Sequence, residues 1–561
     1  MRIAVGQIEV LPKNICENTD KILKAIEFAK ENNADILILP DSAVTGKFIG
    51  EAWEENSFIE EYKLAKGKIV SAAENLMIIS SNYEKVFDGV LKKDPFIVNY
   101  VGHKNLKIGF INSDYKITNE NAEFFIFIED VPFKIGLFNE RKNRLTDIAK
   151  KKKSPVFYVN KVSVENEGKN LYAYTGKSFC VTKDGELDFL LASNDNTIAI
   201  YDTEKVSNPP EIFIPSNIRE IYETITISAK CFLKNTGLKR VVIGVSGGID
   251  SAVSAAIYGK ILPPEDILLV NLPSRYNSDT TKNLAEKLAQ NLGANYAVFP
   301  IEESVKNTIK EIENTPVTLL NNGKKFNLKL SSFDRENVQA RDRGSRILSA
   351  LVSAFSHSEN GEYKPAGFTC NANKTESAVG YATLYGDNAG FLAAIADLWK
   401  YQVYELARFL NEEIYEREVI PEGIINIVPS AELSENQNVD EGKGDPLFYP
   451  YHDFLLRAFA EKIPKVTPED ILLWYEENTL EKNIGCKEGI VKKHFKTDED
   501  FINDLERWYN SLNGVAIAKR LQAPPNIALT ARPFGSFKET QGKPFYGSKY
   551  FELKEKLLNK A

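Results

Sequence analysis

The chain of 561 residues has only four histidines and five cysteines, and no two cysteines form a CxxC pair. It also lacks an HExxH string. These absences argue against a zinc site or another His-rich metal centre, and they leave a hard cation on carboxylates as the metal class to consider. Because the cysteines are scattered and odd in number, the sequence also argues against a disulfide framework.

Long hydrophobic runs and an excess of positive charge are missing as well. No apolar stretch is long enough to cross a bilayer, and the opening residues have no basic segment followed by an apolar one. We therefore expect a cytoplasmic protein without a membrane partner. The formal net charge is −8. Because binding a polyanion requires a basic field, we also expect no nucleic-acid partner.

The pattern along the chain predicts two α/β domains. Near the start, Ile22, Leu23, Ile26 and Phe28 are spaced as the apolar face of a helix between two strands. Short strand-like runs continue to about residue 202, and a stretch with three prolines follows, which is typical of a linker. Buried strands such as VVIGV then alternate with longer helical patterns, as in a doubly wound parallel sheet. The predicted boundaries are 1–203 for the first domain, 204–216 for the linker and 217–561 for the second domain.

The strongest chemical signal is the string SGGIDS between a buried strand and a predicted helix. Gly247 and Gly248 allow a tight turn that brings backbone N–H groups toward an anion, and the helix N-terminus adds the positive end of its dipole. Ser246 and Ser251 can donate hydrogen bonds to phosphate oxygens, and Asp250 can hold Mg²⁺. A plain Gly-rich turn with Asp250 as a helix cap is the alternative.

The string SGGIDS resembles the signature of the PP-loop ATP pyrophosphatases, which split ATP between its α and β phosphates. Five later segments narrow the resemblance to the glutamine-dependent NAD+ synthetases. These segments are NLPSRYNSD (271–279), ENVQARDRG (336–344), NANKTESAVGYATLYGDNAG (371–390), PSAEL (429–433) and KRLQAPP (519–525). The resemblance implies a nitrilase-like α-β-β-α sandwich followed by a doubly wound, Rossmann-like PP-loop domain.

The same resemblance implies a set of site residues. It implies catalytic roles for Asp250 and Lys400 and a Mg²⁺ site on Asp250 and Glu376, with ATP as co-substrate. The ATP-binding positions are Ser246, Gly247, Gly248, Asp250, Ser251, Asn371, Lys400 and Ser430, and the substrate-binding positions are Asn337, Arg341, Asp387, Asp397 and Lys519. The family usually has Thr where this chain has Asn371. Taken singly, lysines and arginines such as these are often surface ion-pair partners, and Asp397 is also suited to a helix N-terminus.

The first 200 residues resemble a nitrilase-superfamily amidase whose Glu–Lys–Cys set has changed. Asp41 stands where the family has Glu, and the best alignment places Asn139 where the family has its nucleophilic Cys. Lys104 or Lys107 is the counterpart of the family Lys. Cys180 is the alternative nucleophile, although no base is fixed beside it in the sequence. The sequence therefore predicts a scaffold domain and free ammonia as the nitrogen source.

The resemblance implies the amidation of deamido-NAD+ to NAD+ with release of AMP and pyrophosphate, in a homo-oligomer. Three alternatives stay open: a working glutaminase, nicotinate mononucleotide as the acceptor, and a non-catalytic regulatory protein. The NANKTE and KRLQAPP segments argue against another PP-loop reaction, such as that of the GMP synthetases or tRNA-modifying enzymes. The absence of a CxxC pair and of a basic field argues against the tRNA-modifying reading.

Overall fold

The computed structural model describes residues 1–85, 91–98, 106–118, 121–204, 216–357, 361–536, 539–540 and 542–559. Their contacts divide the chain into two compact units, residues 1–228 and 229–561. Most of the predicted linker falls outside the described residues. The domain boundaries at 203 and 217 therefore stay predictions.

The described part of the first unit consists mainly of short strands and a few helices. Its strands are β1 (Arg2–Gln7), β2 (Ile36–Ile38), β3 (Met77–Lys85), β4 (Leu91–Val98), β5 (Ile108–Ile111), β6 (Ile117–Thr118), β7 (Phe124–Ile128), β8 (Val156–Val159), β9 (Val162–Glu167), β10 (Asn170–Thr175), β11 (Phe179–Val181), β12 (Leu187–Leu190) and β13 (Thr197–Asp202). Its helices are α1 (Ile15–Glu31), α2 (Asn56–Ala72) and α3 (Leu137–Lys152), and α4 (Asn217–Thr236) begins in this unit.

Two sheets in the first unit pack face to face. One has the strand order β13-β1-β2-β3-β4, and the other has the order β12-β11-β8-β7-β5-β6. Val5 and Ile38 of the first sheet meet Phe124 and Val159 of the second in a dry core. Helices α1 and α2 cover the outer face of the first sheet, and α3 covers the outer face of the second. This layering confirms the predicted α-β-β-α sandwich.

The buried face of α1 differs in part from the predicted one, and Leu23 is only half-buried. Ile22 and Ile26 are buried as expected, but Phe28 is 37% exposed. Ala25 and Ala29 complete the buried face instead. Positions 22, 25, 26 and 29 follow the i, i+3, i+4, i+7 spacing of a helix, and Phe28 lies outside that stripe.

The second unit combines a parallel sheet with many helices. Its strands are β14 (Arg240–Gly244), β15 (Ile267–Asn271), β16 (Asn295–Val298), β17 (Pro316–Leu319), β18 (Lys324–Asn327), β19 (Ala366–Phe368) and β20 (Asn526–Ala528). Its helices are α5 (Ile249–Tyr258), α6 (Asp279–Leu292), α7 (Glu302–Asn314), α8 (Ser332–Arg341), α9 (Ser349–Phe355), α10 (Lys374–Val379), α11 (Lys400–Phe409), α12 (Glu422–Asn426), α13 (Tyr449–Glu461), α14 (Pro468–Glu476), α15 (Leu480–Ile484), α16 (Ile490–His494), α17 (Asp498–Asn513), α18 (Val515–Gln522) and α19 (Ser548–Leu558).

The sheet of the second unit is parallel and has the strand order β16-β15-β14-β19. Both faces are covered. Val242 packs against Val305 of α7, while Val241 and Ile243, which point to the opposite face, are fully buried too. This arrangement confirms the predicted doubly wound sheet. The strand order reverses between β14 and β19, and such a switch point creates a ligand crevice at the carboxyl ends of the two strands.

A group of C-terminal helices, which the sequence analysis did not predict, forms a second core in this unit. Tyr451 of α13, Phe501 of α17 and Tyr550 of α19 are fully buried in it. Ala378 of α10 and Trp399, which precedes α11, belong to the same core. The helices that begin with Lys374 and Lys400 are therefore anchored against packed side chains. In the described part of the chain, no helix is both long and apolar enough to span a bilayer.

Candidate active site

The turn after β14 has the geometry of an anion-binding loop. Gly247 has a φ of +88°, and a Cβ atom there would lie 2.2 Å from the carbonyl oxygen of Thr281. Glycine is therefore required by both backbone conformation and space. The Gly248 N–H donates to Ser246 Oγ at 3.2 Å, and the Ser246 N–H donates to Ser251 Oγ at 3.3 Å. The turn leads into the N-terminus of α5, whose dipole favours an anion.

A cavity of about 270 Å³ opens over this turn. It lies at the carboxyl ends of β14 and β19, where the sheet topology creates a crevice. All of the residues predicted to bind ATP or metal line it. The predicted residues in its lining are Ser246, Gly247, Gly248, Asp250, Ser251, Asn371, Glu376, Asp387, Lys400 and Ser430.

Three charged side chains meet at one end of the cavity. Lys400 Nζ lies 2.5 Å from Asp250 Oδ2 and 3.6 Å from Glu376 Oε1. Burial and the neighbouring Asp250 carboxylate raise the pKa of Glu376 to about 8. The two carboxylates hold the pKa of the Lys400 ammonium above its usual value, against the effect of burial. The site therefore gathers two acidic groups around one ammonium, and the negative charge of Glu376 is unfavourable there without a further cation.

The donor chemistry of Asp250 and Glu376 fits Mg²⁺. Carboxylate oxygens are hard donors, and Mg²⁺ is commonly held by one or two carboxylates with phosphate and water completing its shell. Burial and the neighbouring Asp250 carboxylate both raise the pKa of Glu376, and a divalent cation bound between the two carboxylates would counteract both effects. Among the described residues, no group of three or more His, Cys, Asp and Glu side chains is arranged to hold a metal ion. A cation here would thus rely on these two carboxylates together with the substrate.

The other predicted residues of the lining, Asn371, Ser430 and Asp387, are held in place by hydrogen bonds to neighbouring segments. Asn371 Nδ2 donates to the Gly244 carbonyl at 3.1 Å, which ties the segment after β19 to the end of β14. Ser430 Oγ donates to a backbone carbonyl at 2.6 Å, and Asp387 accepts a backbone N–H at 2.7 Å. Each side chain is therefore fixed at the border of the cavity.

Asn337, Arg341 and Lys519 lie outside the cavity lining and share one neighbour, the segment 380–384. The contacts are Thr383 Oγ1 donating to Asn337 Oδ1 at 2.7 Å, Arg341 Nε donating to the Leu384 carbonyl at 3.3 Å, and Lys519 Nζ donating to the Ala382 carbonyl at 2.6 Å. Burial lowers the pKa of Lys519. These residues hold the wall beside the cavity, and Arg341 is exposed to solvent.

Asp397 occupies a buried position away from the cavity lining. Only 1% of the residue is exposed, and its carboxylate lies 2.6 Å from Lys374 Nζ. It also accepts the backbone N–H groups of Leu529 and Thr530, both at 2.7 Å. In this structure Asp397 links α10 to the C-terminal segment.

Sequence reasoning missed three side chains that belong to the site. Asn373 donates to Asp250, and Arg343 lies in the cavity lining, where burial lowers its pKa to about 10. Asp445 accepts a hydrogen bond from Tyr449 at 2.8 Å and also lines the cavity. Asn373 and Arg343 fall inside the motif strings 371–390 and 336–344, so these strings could have identified both residues as candidates for the site. Asp445 is outside every such string.

The first unit places Asp41 in a buried charged cluster. Ser42 Oγ lies 3.2 Å from Asp41 Oδ1 and 3.0 Å from Asp130 Oδ2. Lys161 Nζ, on a side chain with no exposed surface, lies 2.9 Å from Asp130 Oδ1 and 2.7 Å from Glu165 Oε1. The structure thus pairs Asp130 and Glu165 with a lysine that the sequence analysis did not single out, and Ser42 connects Asp130 to Asp41.

No hydrogen bond or ion pair in the described part of the chain joins Asn139, Lys107 or Cys180 to the Asp41 cluster. Asn139 is a partly buried residue in the first turn of α3, and Lys107 is exposed. Lys104 lies outside the described residues. Cys180 is fully buried in the core between the two sheets, and this burial raises the pKa of its thiol well above the usual value. A thiol that is kept protonated is a poor nucleophile.

Comparison with known proteins identifies similar chains. The family model for NAD synthase matches residues 221–490. A glutamine-dependent NAD(+) synthetase of a Synechocystis species is 26% identical over 603 aligned positions, which span 95% of this chain and 97% of the relative. The solved glutamine-dependent NAD(+) synthetase from Cytophaga hutchinsonii aligns with a TM-score of 0.74 at 16% identity, covering 99% of each chain. A structure of the enzyme from Acinetobacter baumannii, in complex with adenosine diphosphate, aligns with a TM-score of 0.64 at 21% identity, covering 97% of this chain and 98% of that one. At these identities the two structures indicate the fold alone.

Proposed function

We propose that this chain, a member of the glutamine-dependent NAD+ synthetase family and an ATP-dependent carbon–nitrogen ligase, amidates deamido-NAD+ with free ammonia and releases AMP and pyrophosphate. The observation that carries the proposal is the meeting of Asp250, Glu376 and Lys400 over the Gly247 turn at the switch point of the sheet. A buried ammonium, two carboxylates and a helix N-terminus suit a reaction that expels pyrophosphate.

The first half of the reaction is adenylyl transfer. A carboxylate oxygen of the pyridine ring forms a bond to the α-phosphorus of ATP, and the bond from that phosphorus to the bridging oxygen breaks as pyrophosphate leaves. Lys400 stabilises the charge that develops on the phosphates, and Ser246 and Ser251 orient them through their hydroxyls. Asp250 and Glu376 would hold Mg²⁺, which neutralises pyrophosphate when it is bound.

The second half of the reaction replaces AMP by nitrogen. The lone pair of ammonia attacks the acyl carbon of the adenylate, the carbon–oxygen bond to AMP breaks, and the nitrogen loses a proton. No covalent bond to the protein is needed. The cavity walls serve to position the two reactants and to limit the entry of water, which would hydrolyse the mixed anhydride.

Free ammonia as the nitrogen source is supported by the first unit. The Lys161 ammonium is paired with the buried acids Asp130 and Glu165, and Cys180 is buried in the core between the sheets. Amide hydrolysis by the nitrilase route requires a thiolate that can reach the substrate. We therefore propose that the first unit is a scaffold and that glutamine is not hydrolysed. As the family resemblance implies, we also propose that the protein works as a homo-oligomer.

One assay separates this proposal from its alternatives. Release of AMP is measured with ATP and Mg²⁺, with deamido-NAD+ or nicotinate mononucleotide as the acceptor and with ammonium or glutamine as the nitrogen source. We expect turnover with deamido-NAD+ and ammonium and its loss in Asp250→Ala. Equal turnover with glutamine would show a working glutaminase, and a preference for the mononucleotide would change the acceptor. The absence of AMP release from every pair would favour a non-catalytic protein.

A further inference from the structure

Asn373 closes a ring of contacts around the two acidic residues of the site. Its Nδ2 donates to Asp250 Oδ1 at 2.9 Å, while Lys400 binds Oδ2 of the same carboxylate. Its Oδ1 accepts the Glu376 N–H at 3.0 Å, and its own backbone N–H donates to Glu376 Oε2 at 3.3 Å. Each of the two carboxylates is therefore held by one contact from Asn373 and faces Lys400 on its other oxygen.

The side chain of Asn373 performs two tasks at once. As the N-cap of α10 it satisfies an N–H group of the first helical turn, a task that Ser, Thr or Asp performs about as well. Its second task, donation to Asp250 across 123 residues of sequence, falls to the amide NH2, which reaches Asp250 while the amide oxygen serves as the cap acceptor. Asn373 has no exposed surface, so neither hydrogen bond is exchanged with water. The capping role alone would not explain why position 373 is Asn.

We propose that Asn373 is a positioning residue that sets the spacing and orientation of the Asp250 and Glu376 carboxylates for a divalent cation. The inference rests on the proposed function only in its choice of cation and substrate. When the amide donor is lost, Asp250 is free to turn toward Lys400 and away from the ion. The affinity for the cation should then fall even though α10 keeps its cap.

The test compares two Asn→Ser variants at equivalent caps. Asn14 caps α1, and its Oδ1 accepts the Glu17 N–H at 3.2 Å, so it matches Asn373 in having Glu three residues later. The binding of Mn²⁺ is measured by electron paramagnetic resonance in the presence of pyrophosphate, without any turnover. We expect Asn373→Ser to weaken Mn²⁺ binding about tenfold and to lower kcat with little change in the KM for deamido-NAD+. Asn14→Ser should match the wild type in both measurements.

A second variant covers the case in which Asn373→Ser does not fold. Asn373→Asp keeps the volume and the cap acceptor, but it replaces the donor to Asp250 by a negative charge. We expect kcat to fall and the dissociation constant for Mn²⁺ to differ from that of the wild type. Wild-type Mn²⁺ binding and kcat in the folded variant would overturn the proposal. If Mn²⁺ binding depends on Asn373 but the wild type releases no AMP, the proposed function fails and this inference stands.

Discussion

Lys400 and Asp250 form a buried ion pair whose atoms lie 2.5 Å apart, although Lys400 is the first residue of α11. A cation is unfavourable at a helix N-terminus, because the dipole there is positive. The carboxylates of Asp250 and Glu376 offset this cost and keep the ammonium charged in a buried site. Such a charge is poorly solvated by water and is therefore available to a phosphate that enters the cavity.

Replacing Lys400 tests this role directly. Lys400→Met keeps much of the apolar stem and removes the charge that stabilises the leaving pyrophosphate. We expect kcat to fall about 10²- to 10³-fold, the range found when one preorganised electrostatic group is removed. The measurement is the steady-state release of AMP. Lys443→Met, at a half-exposed lysine that pairs with Glu441, is the control and should keep wild-type kcat. Wild-type turnover in Lys400→Met would contradict the assignment.

Two arginines in the same helical run should have separable effects. Arg343 lines the cavity and donates to the Leu272 carbonyl at 2.9 Å, whereas Arg341 is exposed beside the segment 380–384. We expect Arg343→Gln to raise the KM for ATP about tenfold, which corresponds to the loss of about 1.4 kcal/mol of binding. Arg341→Gln should raise the KM for deamido-NAD+ and leave that for ATP unchanged. Steady-state kinetics with each substrate varied in turn distinguishes the two, and identical profiles would refute the distinction.

Gly247 should tolerate no side chain. Its φ of +88° disfavours any L-residue, and a Cβ atom would meet the backbone of α6 at 2.2 Å from the Thr281 oxygen. We expect Gly247→Ala to abolish AMP release and to lower the free energy of unfolding by more than about 2 kcal/mol. Gly293, which caps the other end of α6, has a φ of +68° and open space around it. Gly293→Ala should therefore cost only about 1–2 kcal/mol and keep activity. Denaturant titration with the AMP assay checks both variants.

Local motifs explain which parts of the site could be predicted from the sequence. The string from Ser246 to Ser251 sits between a strand and a helix that its own residues specify, so its position followed directly. Contacts between segments that are distant in sequence were harder to predict. Asn373 and Asp250 are 123 residues apart, and nothing in the sequence states that the amide of one donates to the other. Asp397 lies three residues before Lys400, but its side chain is buried against Lys374. A motif shows which residues are close in sequence, but it does not show where each side chain points.

The first unit shows the same limit in a different form. A lysine such as Lys161, between two short strands, resembles a surface residue when its sequence alone is considered. Its partners Asp130 and Glu165 come from two separate segments, and only the folded sandwich encloses all three. The layers of that sandwich were predictable from strand patterns and from the resemblance, whereas this buried cluster was not.

Loss of the Lys161 ammonium should destabilise the first unit. Its ammonium lies within 3 Å of the carboxylates of Asp130 and Glu165 and 4.2 Å from the ring centre of Tyr174. Removing it leaves buried carboxylates without a counter-charge, which typically costs about 3–5 kcal/mol. We therefore expect Lys161→Met to lower the midpoint of denaturant unfolding and to increase hydrogen exchange in peptides that cover residues 156–175.

The matched control for Lys161→Met is Lys116→Met. Lys116 pairs with Asp114 at 3.9 Å, and both side chains are more than two-thirds exposed. Surface pairs of this kind contribute little to stability, so this variant should unfold at the wild-type midpoint. If Lys161→Met unfolded at that midpoint as well, its carboxylate partners would have to take up protons or water at little cost, and the cluster would not be a source of stability.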